Sequence, residues 1–399
     1  MERHKRHHKD DSKNEDDLIS DLSGCVLHLI LSFLNAKEAV QTCILSKRWI
    51  NLWKTLPTLT LSSSNFRTQR SLEQFVYHIL SLRDHSTAIH TLCLQLHYNH
   101  FMGISLYRMI IEYAFSHNVQ QFRISYAIIE DLPPRFFSSH TLTSLHLSSS
   151  FLLHSGSMQI FPNFLNFPAL TTLSLKYVAF RRSTSYGRCT TFHNCVDPFS
   201  AFNMLDTLII DCCVLLDARN LCISSTKLLS LTICMYDGDP RDNFRTYFGI
   251  ELYAPTVHTF NYSCGQYIPK LVGSKSVLSS IKHVNIHSSR YMGSGEKSSI
   301  IFNWLVELAN IESLTINFFA LTDIFLFPDL LKIKLPSLLC NLKSLKIKVF
   351  QPISIPAETV DFLLQNSRSA KVSSTGSNRV GESNLFLLDS THDDSRTFD

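Results

Sequence analysis

The chain lacks the motifs that would mark it as an enzyme. It has no G-x-S-x-G elbow, no P-loop, no G-x-G-x-x-G turn and no H-E-x-x-H helix. The usual devices for acyl transfer, phosphate cradling, dinucleotide binding and zinc-assisted hydrolysis are therefore missing. Its 18 histidines sit in no partnered motif and read as surface and strand residues, not general bases. No apolar run approaches the roughly 20 residues that span a bilayer. The opening M-E-R-H-K-R-H-H-K-D-D is charged, without an apolar centre, so no secretory signal is expected. Net charge is only +4 over 399 residues, which gives no reason to expect nucleic acid or a membrane as partner.

Metal-ligand patterns are also scarce. The 11 cysteines are odd in number and mostly lie in apolar, strand-like segments, as Cys93, Cys234 and Cys340 do. With no signal peptide they read as reduced, small buried hydrophobes of a cytoplasmic or nuclear protein. The nearest approach to a metal cluster is C-T-T-F-H-N-C, holding Cys189, His193 and Cys195. It has no C-x-x-C knuckle and no evident fourth ligand, so neither a metal nor another cofactor is expected.

What is present is a dense apolar stretch from Asp16 to Trp53. Between Val26 and Leu34 only His28 and Ser32 are polar, so a helix there is apolar nearly all round and needs cover on two sides. Ser23 is placed to cap it. Asn35 with Glu38 three residues on forms a capping box for a second helix, from Ala36 to about Leu45. Ser46 is placed to cap a third, setting Trp49 and Trp53 four residues apart on one face. A unit this small cannot sustain its own core, which points to a docking module.

These residues resemble the plant F-box. The third segment reads L-S-K-R-W-I-N-L-W (Leu45 to Trp53), preceded by I-L-S-F-L (Ile30 to Leu34) and K-E-A-V-Q-T (Lys37 to Thr42). One position departs: Leu22-Ser23 stands where such segments usually have Leu-Pro. Serine is a good cap at that boundary, and the expected loss is roughly 1 kcal/mol or less. The candidate docking and module-core set is Leu22, Val26, Leu27, Ile30, Leu31, Leu34, Val40, Leu45, Trp49 and Trp53. Which of them touch a partner and which pack the module is left open by the sequence.

Downstream, a triplet recurs: apolar, two residues, apolar, one residue, apolar. The strongest copies are Leu142-Leu145-Leu147, Leu170-Leu173-Leu175, Leu205-Leu208-Ile210, Leu228-Leu231-Ile233, Ile311-Leu314-Ile316 and Leu342-Leu345-Ile347. Weaker copies are Ile89-Leu92-Leu94, Val119-Phe122-Ile124, Val257-Phe260-Tyr262 and Ile281-Val284-Ile286. The spacing is close to that of leucine-rich repeats, in which each unit supplies one short strand and only stacking buries its inward side chains. Helices are expected at Ser71 to Leu82 and Leu106 to Phe115. The predicted fold is an α+β (α/β repeat) chain: an N-terminal three-helix F-box, then an irregular leucine-rich-repeat solenoid with a curved parallel sheet. The expected division is a disordered tail over 1–15, F-box over 16–56, helical linker over 57–88, solenoid over 89–365, and a mostly disordered tail over 366–399. Ile355 to Ser367 resembles the region after the last repeat in plant F-box/leucine-rich-repeat proteins, and the further C-terminal domain that often follows there is not expected here.

Residues beside and between the last two apolar positions of each triplet should face the concave side, where repeat arrays bind. The candidates are Arg123, His146, Lys176, Asp211, His283, His287, Lys346 and Lys348, with polar neighbours that include Asn261 and Asn317. The resemblance implies a non-catalytic adaptor: the F-box docks a Skp-type adaptor and through it a cullin, and the repeats hold an unknown target protein for ubiquitination. The alternative is a leucine-rich-repeat interaction scaffold outside ubiquitination, whose altered F-box no longer docks. A small-molecule receptor is a third reading and would need convergent polar groups on the repeats.

Overall fold

The computed structural model describes residue 19 and residues 22–97, 102–149, 158–162, 164–181, 195–235, 248–264, 268–288, 295–308, 310–325, 339–349 and 357–376. The expected N-terminal tail and the stretch around Leu385 to Leu388 lie outside these residues.

The first helix, Gly24–Ser32, starts where Ser23 takes an extended backbone and its hydroxyl accepts from Val26 N–H. The second, Ala36–Gln41, has both halves of the capping box: Asn35 Oδ1 accepts from Glu38 N at 3.0 Å, and Glu38 Oε2 accepts from Asn35 N at 3.1 Å. Asn35→Ala should lower stability by about 1 kcal/mol, read as a shift of the denaturation midpoint. An unmoved midpoint would count against the box as a stabilising device.

The third helix does not form. In its place are 3₁₀ turns at Lys47–Trp49 and Leu52–Thr55, and a further one at Thr42–Ile44 stands where the second helix was expected to continue. The second helix accordingly stops at Gln41 rather than near Leu45. Ser46 sits at φ −165°, ψ 168°, an extended backbone as at the other caps, but its hydroxyl makes no cap bond to the turn that follows. Short turns still carry both Trp49 and Trp53 into the interior.

Twelve strands then form one sheet in which spatial order follows chain order and neighbours pair in parallel. They are Thr58–Ser62, Thr91–Gln95, Gln121–Ser125, Ser144–Ser148, Thr172–Lys176, Thr207–Asp211, Ser230–Cys234, Thr259–Cys264, His283–Ser288, Ser313–Asn317, Ser344–Val349 and Lys371–Gly376. The last two positions of all ten triplets read from the sequence lie on such strands, the first stands two residues ahead of each, and every one of these apolar positions is buried. Adjacent strands can run parallel only if each connection returns to the starting edge. Helices Gln69–Leu82 and Ile104–Ser116 make two of those returns, close to their expected bounds.

Two expected boundaries move. The sheet begins at Thr58, inside the expected linker, because Leu56, Leu59 and Leu61 repeat the same triplet directly after the helical segment. It ends at Gly376, inside the expected tail, because Lys371–Gly376 pairs along its length with Ser344–Val349. Two smaller parallel sheets were not anticipated. One joins Gln159–Ile160, Val178–Arg181 and Val214–Leu216; the other joins Cys195–Val196, Asn220–Ser224, Gly249–Tyr253 and Leu271–Gly273.

The core is continuous from Leu27 in the first helix to Leu363. The N-terminal helices therefore find their first cover within the chain, both against the turn Leu52–Thr55 and the second also against the first strand. Phenylalanines line part of this core: Phe122 packs on Phe136 at 5.7 Å between ring centroids, Phe136 on Phe167 at 5.6 Å, and Phe167 on Phe202 at 6.2 Å. No described helix is long and apolar enough to cross a membrane.

Candidate functional site

The first helix separates its apolar residues by rotation. Leu27 and Leu31, one turn apart, are wholly buried, whereas Val26, Leu29, Ile30 and Phe33 form an outward stripe at spacings of three and four. Phe33 is 81% exposed. On the 3₁₀ turns Ile44 is 88% exposed, with Leu45 and Ile50 also outward.

The candidate docking set thus divides. Leu27, Leu31, Trp49 and Trp53 are core; Leu22, Leu34 and Val40 are half-buried against it; Val26, Ile30 and Leu45 face solvent. Ile19, Leu29, Phe33, Ile44 and Ile50 are exposed apolar residues that the sequence reading missed. The helical spacing of Val26, Leu29, Ile30 and Phe33 was a legible signal for two of them. Ile44 had none, because the turn that exposes it replaced an expected helix.

Polar bonds hold this unit in shape. His28 Nε2 lies 2.9 Å from Thr55 Oγ1, tying the first helix to the last turn. The Arg48 guanidinium donates to the Leu22 carbonyl. Lys37 Nζ donates to the Asn65 carbonyl at 2.6 Å and sits over the Phe66 ring. An exposed apolar stripe on a fixed frame can bury area against a second surface without refolding, which keeps the ordering cost of binding low.

The second candidate surface is the face of the main sheet opposite the core. Strand burial alternates, with partly exposed positions between buried ones. The register aligns the outward residues in rows, one running Thr60, Cys93, Arg123, His146, Ser174, Ile209, Thr232, Asn261, Asn285, Thr315, Lys346, Ser373. The candidate face residues spread along the sheet and do not converge on one pocket. Arg123 adjoins His146 on the third and fourth strands, and Lys176 pairs with Asp211 on the fifth and sixth at 2.9 Å. His283 and His287 share the ninth strand; Lys346 and Lys348 share the eleventh.

Two polar neighbours are not free face residues. Asn317 is fully buried: its Oδ1 accepts from Ser288 N and Ala320 N, and its Nδ2 donates to the Ser288 carbonyl, so it caps the helix Phe318–Phe325. Asn261 is nearly buried in an amide ladder, donating to Thr232 Oγ1 at 3.0 Å and accepting from Asn285 Nδ2. Both sit where neighbouring rungs supply partners, a fact that spacing alone does not reveal.

Burial, and then the adjacent Arg123 charge, pushes the His146 imidazole down to about 4. A histidine depressed in the fold stays neutral while the unfolded chain takes up a proton. Its contribution is therefore complete above about 6.5 and is lost as pH falls from there towards 4. His146→Gln should flatten this part of the stability–pH curve. A wild-type midpoint that does not fall between those values, or one that falls equally in the variant, would remove His146 as the cause.

The cysteine expectation needs correction. Cys195 and Cys222 are joined as a disulfide, their Cα atoms 6.0 Å apart on neighbouring strands of the four-stranded sheet. Glu251 lies beside them, with Oε2 3.7 Å from Cys222 Sγ and Oε1 accepting from Asn220 Nδ2 at 2.6 Å. Sulfurs bonded to each other are not thiolate ligands. Cys189 and His193 lie outside the described residues.

Comparison with known proteins bears on the first surface directly. Residues 19–61 match the F-box domain model. An FBD-associated F-box protein of Arabidopsis thaliana is 23% identical, over 85% of this chain and 68% of its own length. An F-box/LRR-repeat protein of the same plant is 27% identical over 75% and 67%, and a second FBD-associated F-box protein 29% identical over 73% and 71%. Matches of higher identity are local, such as 38% over 86 residues, only 18% of that relative's length.

Proposed function

We propose, from the premise that the F-box match and the Arabidopsis homologues support a plant F-box/leucine-rich-repeat family, that this protein is the substrate-recognition adaptor of a Skp–cullin–F-box ubiquitin ligase. Proteins of that family are generally non-catalytic subunits, and the chain's part in this reading is to hold two partners together. The observation that carries it is the outward apolar stripe of the first helix with Phe33 and Ile44, beside a core set of Leu27, Leu31, Trp49 and Trp53 that is already satisfied within the chain. Fully burying one such side chain contributes about 1.5–3 kcal/mol, so a partner covering several of them gains a stable interface.

In this reading residues 16–56 dock a Skp-type adaptor and through it a cullin. The twelve-stranded sheet is an irregular leucine-rich-repeat solenoid, and its outward face, with Arg123, His146, His283, His287, Lys346 and Lys348, receives the target protein. Tethering raises the effective concentration of a target lysine near a ubiquitin-charged enzyme that other subunits supply. The setting is the cytoplasm or nucleus. Ser23 caps its helix, so the departure from Leu-Pro leaves the helix start intact.

The test is affinity purification of the full chain with mass spectrometry, with and without proteasome inhibition. The reading expects a Skp-type adaptor and a cullin in both samples and target proteins enriched under inhibition. Recovery of partners without any adaptor would favour the scaffold alternative instead.

A further inference from the structure

The outward rows of the main sheet carry charge of almost one sign. Their cations are Arg123, Lys176, Lys346, Lys348 and Lys371, and their one carboxylate is Asp211. That carboxylate is already engaged by Lys176 at 2.9 Å. The whole chain has 33 acidic residues against 37 Lys and Arg. Carboxylates are therefore common in the protein, and among the described residues of these rows Asp211 is the only one.

The asymmetry is sharpest at the far end. From the seventh strand to the twelfth the outward positions are Ser, Thr, Cys, Asn, His and Lys, with no acid among them. Lys346 and Lys348 alternate on one strand, so their side chains leave the same face about 7 Å apart. Lys371 stands on the next strand in register with Ser344. The register neighbours of Lys346 are Thr315 and Ser373, hydroxyls that can add hydrogen bonds but no counter-charge. His283 and His287 lie two strands away.

We propose that this end of the face binds a carboxylate-rich segment of a target protein, with Lys346, Lys348 and Lys371 as its anchors. An extended peptide places alternate side chains at nearly the spacing of Lys346 and Lys348, so acidic residues at every second position match them. A nucleic acid fits less well: the outward rows hold no Phe, Tyr or Trp on which bases could stack. The inference rests on the reading of this face as the target surface and narrows the target's chemistry.

The experiment uses the full chain co-purified with a Skp-type adaptor and three labelled probes: a short glutamate-rich peptide, a lysine-rich counterpart and a uridine oligonucleotide. The glutamate-rich peptide should bind best, lose affinity as salt rises, and bind about tenfold more weakly or worse after Lys346→Glu with Lys348→Glu. The exposed Lys371→Glu should weaken it independently. Failure of the peptide to bind, equal affinity in the variants, or tighter binding of the oligonucleotide would each overturn the proposal. Adaptor retention is scored in the same samples. A wild-type chain that keeps the adaptor yet fails to bind the peptide defeats only this inference, whereas a wild-type chain that never captures the adaptor defeats the ligase reading.

Discussion

Phe33→Asp combined with Ile44→Asp should abolish recovery of a Skp-type adaptor by the full chain. Both side chains point outward, at 81% and 88% exposure, so the fold gains nothing from their apolar surface. Charges placed there should change folding stability by no more than about 0.5 kcal/mol. In a docked complex the same charges must lose water against an apolar partner. Central apolar anchors are each worth about 2–4 kcal/mol, so the pair should weaken capture by roughly a thousandfold or more. Ile30→Asp with Leu34→Asp is a poorer choice, because Leu34 packs against the core and its loss mixes unfolding with undocking. The measurement is a pull-down from matched amounts of protein alongside thermal denaturation. Adaptor recovered undiminished by a folded double variant would end the docking claim.

Phe136→Ala should be among the most damaging single changes in the repeat region, costing about 3–5 kcal/mol of stability. The ring is fully buried and touches four others: Phe115 at 5.4 Å, Phe122 at 5.7 Å, Phe137 at 5.4 Å and Phe167 at 5.6 Å between centroids. Removing it leaves a cavity and also ends several edge-to-face contacts, so neighbouring rungs lose their common partner. Phe136→Leu keeps most of the volume and should lose clearly less. Denaturant unfolding of the three proteins decides it. Equal midpoints for wild type and Phe136→Ala would mean that the site collapses without penalty and that the phenylalanine line is not a unit of the core.

Much of the fold was legible because burial here has a period. In the ten triplets the same three positions are apolar, so a strand with one buried face was the natural reading. The first strand carried the same signal at Leu56, Leu59 and Leu61, hidden by its closeness to the helical module. The twelfth carried no such signal. Its register partners for Leu345 and Ile347 are Val372 and Ser374, and Val372 remains half exposed at the sheet edge. An edge strand is covered on one side only, so its sequence is under less demand to be apolar. The two small sheets escaped notice for a related reason: five of their seven strands have only two to four residues, too few to show a period.

The candidate surfaces divide in the same way. Capping residues act on backbone groups three positions away, and so Ser23 and the Asn35–Glu38 box could be assigned from the sequence alone. The near-wholly apolar first helix likewise required two covered sides. Which side faces the chain and which faces outward depends on where the turn Leu52–Thr55 packs, and Leu27 and Leu31 lie inward with Phe33 outward. Asn317, Asn261 and the Cys195–Cys222 pair follow the same rule, since each depends on a neighbouring strand roughly 25 to 30 residues away. Local spacing determined the elements, their caps and the repeating core, because those interactions close within one turn or one strand. Only the tertiary structure decided which apolar residues stay uncovered and which polar ones are satisfied, because burial is a property of what the rest of the chain leaves open.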